Sequence, residues 1–141
     1  MAFSLQVAID ARDPHTLAAW WAETLGWEVE PSDEAFIRKM IAEGYATEDD
    51  TRVFNGKLVW RTATAVNPPA GVAAPRLYFQ EVPEEKVVKN RTHLDIRHGD
   101  ADVDEVRLSL IQRGATFLYE GRQGPHVWHT FQDPEGNEFC V

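Results

Sequence analysis

The chain carries one plan twice. The stretch "SLQVAIDARDPHTLAAWWAETLGWEVE" near its start and "THLDIRHGDADVDEVRLSLIQRGATFLYE" past its middle read alike. In the first, Leu5, Val7 and Ile9 alternate with Gln6, Ala8 and Asp10, the period of a half-buried strand. Asp13-Pro14 then supplies an N-cap and a first-turn proline, Leu17, Trp20, Trp21 and Leu25 recur at helical spacing, and Gly26 stops the helix. In the second, Leu94 and Ile96 alternate with His93, Asp95 and Arg97. Asp100 or Asp102 can cap a helix carrying Val103, Val106, Leu110 and Ile111, which Gly114 ends. Each copy runs on into two more strand-like segments, "GKLVWRTATAV" and "PRLYFQEV" in one, "HVWHTFQ" and "NEFCV" in the other. At a constant offset Gln6 falls on His93 and Asp13 on Asp100. A repeat of this kind predicts two equivalent units, each strand–helix–strand–strand–strand (βαβββ).

The expected fold is therefore α+β, with two βαβββ modules forming a curved mixed sheet around a cleft in one domain. The first module spans residues 1–83, a polar linker 84–90, and the second module 91–141. The first also carries an insert at about 31–56, whose "DEAFIRKMIAEG" predicts a short amphipathic helix with Gly44 behind it.

Strand alternation sorts the side chains. Leu5, Val7, Ile9, Leu94, Ile96, Leu77, Phe79, Phe139 and Val141 are expected against the helices. Gln6, Ala8, Tyr78, Gln80, His93, Asp95, Arg97, Glu138 and Cys140 then face the other way. Overlaying "LYFQE" on "NEFCV" by their shared phenylalanine sets Gln80 opposite Cys140, so Gln6, Gln80, His93 and Cys140 emerge as four equivalent positions. Polar groups converging on a cleft are the usual mark of a ligand site. Trp60 and Trp128, on strands, are candidates for its walls. Trp20 and Trp21 are neighbours on one helix, so one is expected in the core and the other at an interface or under the insert. Among the other histidines, His15 is expected exposed, His126 at the cavity mouth and His129 packed or on the surface. Lys86, Lys89 and Arg91 either shape the rim of the cleft or are ordinary solvated charges.

Composition excludes some partners. A formal net charge of -9 repels phosphate backbones and anionic lipid, so neither nucleic acid nor membrane is expected. No apolar run suffices to span a bilayer, and no signal peptide is apparent. A single cysteine forms no internal disulfide, which suits the cytoplasm.

The doubled plan, "DP" before the first helix, "LGW" after it and the terminal "DPEGNEFCV" resemble the glyoxalase/bleomycin-resistance (vicinal oxygen chelate) superfamily. "RLYFQEVPEEKVVKNRTHLDI" looks most like its glyoxalase-like branch. The resemblance implies paired modules, a homodimer as a common assembly, and ligands from the first and last strands of each module. Those positions fall on Gln6, Gln80 (Tyr78 if the register slips), His93 and Cys140. One histidine and no carboxylate there exclude an extradiol dioxygenase. Neutral Gln6 and Gln80 are weak donors and Cys140 prefers zinc or another soft ion, so no tightly held cofactor is expected, a divalent metal being the one candidate. Two functions follow from the resemblance. One is a lyase or isomerase acting on a small metabolite, with His93, Cys140 and Glu138 catalytic and Gln6, Tyr78, Gln80, Asp95, Trp60 and Trp128 binding the ligand. The alternative is a bleomycin-resistance-type protein that binds a small molecule without turnover.

Overall fold

The computed structural model describes residues 1–141, which form two compact units, Met1–Pro83 and Glu84–Val141. The first contains β1 (Val7–Ala11), α1 (Pro14–Leu25), β2 (Glu28–Val29), α2 (Glu34–Ala42), β3 (Thr51–Phe54), β4 (Lys57–Trp60), β5 (Ala63–Asn67) and β6 (Leu77–Glu81). The second contains β7 (Leu94–Asp95), α3 (Val103–Gln112), β8 (Thr116–Gln123), β9 (His126–Gln132) and β10 (Glu138–Cys140). The four-stranded sheets are ordered β1-β6-β5-β2 and β7-β10-β9-β8. Each module therefore places its last strand beside its first, in parallel, and the remaining pairs run antiparallel. The architecture is α+β, two βαβββ modules, each on a mixed four-stranded sheet.

In the first unit, Asp13 accepts the amide of Thr16 and Gly26 closes α1 with a φ of 65°, a left-handed turn that glycine adopts without a Cβ clash. The helix lies on β5 and β6 and buries Leu17, Ala18, Trp20, Trp21 and Ala22 against Leu77, Phe79 and Val66. Both tryptophans are buried, not one. Their rings meet edge to face at 5.2 Å, which lets adjacent positions share one core despite the turn between them. Leu5, expected in the core, is exposed, because it and Gln6 precede the first paired residue, Val7.

The insert is larger than the helix expected of it. Asp33 caps α2, and Gly44 follows it at a φ of 81°. The segment "GKLVWRTATAV" is two strands, not one: β4 pairs with β3 in a separate hairpin and β5 joins the main sheet. The break falls at Arg61, whose amide and Nε donate to the carbonyls of Asp50 and Asp49 and turn the chain out of the hairpin. This hairpin covers the start of α1, which corrects the expectation for His15. That residue is buried, its ring 5.3 Å from that of Phe54. A carbonyl only accepts, so His15 Nε2 carries the proton that it gives to the oxygen of Trp60 at 2.7 Å. Arg52 of β3 adds an ion pair to Asp13 at 3.1 Å.

In the second unit the cap of α3 is Asp102, not Asp100. Its carboxylate accepts the amides of Asp104 and Glu105, so the loop before this helix is two residues longer than a constant offset allows. Of the four apolar positions expected in its core only Leu110 is buried; Val103 and Val106 are half-buried and Ile111 is exposed. Phe131, Phe139 and Val141 form the buried face of the sheet. The stretch 84–90, expected as a linker, is tied to β10. Lys86 Nζ and the amide of Asn90 each lie 3.0 Å from a different oxygen of Glu138. The "DPEGN" turn is a clamp of the same kind, in which Asp133 accepts the amides of Glu135 and Asn137 and the Asn137 side chain.

Candidate functional site

Period-two alternation gives the second sheet one polar face. Asp95, Cys140 and Thr130 sit directly across from one another on β7, β10 and β9. His93, two residues before Asp95, joins the row from the loop ahead of β7. One ring nitrogen of His93, a carboxylate oxygen of Asp95 and Cys140 Sγ lie within 4.8 Å of one another. His93 Nδ1 is 3.1 Å from Asp95 Oδ1, and Thr130 Oγ1 is 3.4 Å from Cys140 Sγ. An ionised carboxylate can only accept, so Nδ1 holds the proton and Nε2 keeps its lone pair for a base or ligand role.

The row opens into a cavity of about 610 Å³, within the range that takes a small organic molecule. His126 and Trp128 form part of its wall, with ring centroids 5.7 Å apart. Trp128 lies over Gly121, its partner across the β8–β9 ladder; a Cβ at Gly121 would run into the indole. Thr130 carries no distinguishing mark in the sequence, but Gly121 does. A glycine inside a strand-like run is the signal that was there to find.

Of the residues expected to act, His93, Asp95, Cys140, Glu138 and Trp128 all line this cavity. Glu138 is the one whose situation differs from expectation. Burial would raise its pKa, but the Asn90 amide and the Lys86 ammonium outweigh that and hold it below its ordinary value. It is a buried, paired carboxylate, and both of its oxygens are engaged.

Gln6, Tyr78, Gln80 and Trp60 lie in the first unit and make contacts of their own. Gln6 Oε1 accepts from Arg76 Nη1 at 2.7 Å, and Gln80 Nε2 donates to Asp10 at 2.8 Å. The ladders also correct the overlay of the last strands. Cys140 pairs with Asp95 one residue into β7, and the residue one into β1 is Ala8, which pairs with Tyr78. Tyr78 is therefore the counterpart of Cys140, and Gln80 lies two residues further on. The shared phenylalanine misled because β10 is matched to β6 by Phe139 on Leu77, both fully buried.

The sequence profile of the glyoxalase-like domain matches residues 6–141. The chain belongs to the glyoxalase-like domain family. No curated protein matches it. Among solved structures, the fosfomycin resistance protein FosX from Listeria monocytogenes, held there with Mn(II) and 1S,2S-dihydroxypropylphosphonic acid, is 12% identical at a TM-score of 0.66, over 99% of this chain and 90% of that one. FosX from Mesorhizobium loti is 10% identical at a TM-score of 0.64, with the same coverage of 99% and 90%. A glyoxalase/bleomycin resistance protein/dioxygenase family enzyme from Burkholderia phytofirmans is 16% identical at 0.59, over 96% and 94%. At such identities the likeness establishes the fold alone.

Within this glyoxalase-like domain the chemistry-bearing row is confined to the second module. At the equivalent places the first has Gln6 for His93, Ala8 for Asp95, Tyr78 for Cys140 and Ala65 for Thr130. The positions of Gln6, Gln80, His93 and Cys140 hold one histidine and no carboxylate, with Asp95 the carboxylate next to them. Asp95 supplies a carboxylate beside His93, which turns a poor Gln-Gln-His-Cys set into a compact His-Asp-Cys group. A nitrogen, an oxygen and a sulfur donor at this spacing suit a borderline divalent ion such as zinc.

Proposed function

We propose that this glyoxalase-like protein is a lyase or isomerase that takes a small, oxygen-rich metabolite in the cavity of its second module and moves a proton on it. The observation that carries the reading is the convergence of His93, Asp95 and Cys140 on one wall of that cavity. Asp95 orients the His93 ring and would stabilise it once charged, leaving Nε2 to take a proton from a carbon beside a carbonyl. Cys140, braced by Thr130, is the neighbouring thiol that returns a proton or holds the substrate's polar edge. Trp128 and His126 are the flat wall against which the carbon skeleton rests. Where a divalent ion is bound, His93, Asp95 and Cys140 would hold it, and it would supply Lewis-acid polarisation of the substrate oxygen.

A homodimer in the cytoplasm belongs to the same reading. Exposed Leu108 and Ile111 on α3 and Phe117, Leu118 and Tyr119 on β8 support it as surface to be covered.

The test follows deuterium incorporation from D2O into a panel of small α-hydroxy and α-oxo carbonyl compounds by proton NMR. Zn, Ni, Fe, Mn and Co in the purified protein are measured alongside. Catalysed exchange that His93→Ala abolishes and Asp95→Asn weakens is the expected result. Ligands that raise the melting temperature without any exchange would instead make this a binding protein.

A further inference from the structure

The first unit has a cavity of its own, of about 650 Å³, that shares no lining residue with the one containing His93. Its floor is the open face of the sheet at Tyr78. Its walls come from the insert, with Phe36 and Met40 of α2, Tyr45 behind that helix, and Trp60 at the end of β4. Trp60 is the last residue of β4, where it pairs with Thr51 of β3. The one strong cation here is already committed. Arg76 lies 5.5 Å over the Tyr78 ring, its Nε and Nη2 on the two oxygens of Glu30 and its Nη1 on Gln6. Arg76 in turn holds Glu30 below its ordinary pKa, chiefly through this hydrogen bond, so the pair stays ionised and mutually neutralised. Aromatic and thioether walls on a charge-compensated floor recognise flat, uncharged rings through stacking, with the unused guanidinium N–H groups available to one acceptor.

We infer that the insert-walled cavity of the first module is a second small-molecule site, for a neutral planar aromatic or heteroaromatic compound bearing a carbonyl-type acceptor. The lining holds no histidine or cysteine, and its other carboxylate, Asp50, is engaged at Oδ2 by the amide and hydroxyl of Thr47, so the cavity binds without transforming. It stands on its own residues and holds whether or not the second module catalyses proton transfer.

Coumarin, flat and neutral with a lactone carbonyl, is a suitable probe. The five tryptophan indole N–H signals of the nitrogen-15 correlation spectrum report where it goes, with Trp60→Phe and Trp128→Phe assigning the two that matter. A saturable shift of the Trp60 signal is expected, with the Trp128 signal moving less and the affinity unchanged in His93→Ala. Tyr78→Ala and the exposed Phe36→Ala should each weaken binding, Tyr78→Ala by about tenfold, while Tyr78→Phe keeps it. No saturable Trp60 shift, or a shift confined to Trp128, overturns the proposal. So does equal affinity in the wild type and in both alanine variants.

Discussion

The two modules share a strand order and differ in what they do with it. In the first, polar side chains of the sheet's open face are bound to one another: Gln6 and Glu30 to Arg76, Gln80 to Asp10. In the second, the matching row keeps His93, Asp95 and Cys140 open to a cavity. The helices differ the other way. Helix α1 buries two tryptophans under its sheet, whereas α3 buries only Leu110. The two modules thus differ in emphasis: the first has the larger buried core and the insert, the second the row of His93, Asp95 and Cys140 that lines a cavity.

The largest effect should come from testing that contrast in stability. Trp21→Ala removes a side chain 1% exposed and should cost about 3–5 kcal/mol in urea unfolding. Gln112→Ala on α3, an exposed position, should cost less than about 0.5 kcal/mol. Equal losses at the two positions would erase the distinction.

Next comes the Glu138 clamp, which the first module lacks. Glu138→Gln leaves the Lys86 ammonium, 18% exposed, without its partner and should lower stability at neutral pH by about 3 kcal/mol. Because the folded pKa of Glu138 lies below its ordinary 4.5, its contribution is complete above that value and is lost as pH falls through the folded one. The wild type should therefore lose stability more steeply than Glu138→Gln below pH 4.5, as followed by acid titration of circular dichroism.

A smaller effect sharpens the account of the second cavity. Gly121→Ala pushes the Trp128 indole off β8, at a cost of about 1–3 kcal/mol, and should move the Trp128 indole signal while leaving that of Trp60 in place. Smallest is the pair of helix caps. Asp102→Ala should cost about 1 kcal/mol. Asp13→Ala should cost somewhat more, because Asp13 also holds Arg52 of the insert, and its lowered pKa, against the opposing effect of burial, reflects Thr16 and Arg52 together. Equal losses from these two changes would show the insert to be energetically independent of α1.

Much of the fold was legible because it depends on local rules. Alternation placed β6, β9 and β10, and an aspartate–proline pair and a glycine bounded α1, since backbone period and capping act over a few residues. The polar face was legible for the same reason, which is why His93, Asp95, Glu138, Cys140 and Trp128 line one cavity. What the sequence could not decide involves chain segments far apart. Whether His15 is buried depends on a hairpin some forty residues away, and whether Tyr78 or Gln80 answers to Cys140 depends on how two parallel strands slide past each other. Glu138 has the right chemistry for a catalytic acid, but the Lys86 and Asn90 brought against it make it a fastening. Side-chain identity and spacing determined which groups this protein has on each face. Register and burial, set by packing across the whole of each module, determined which of them line a cavity.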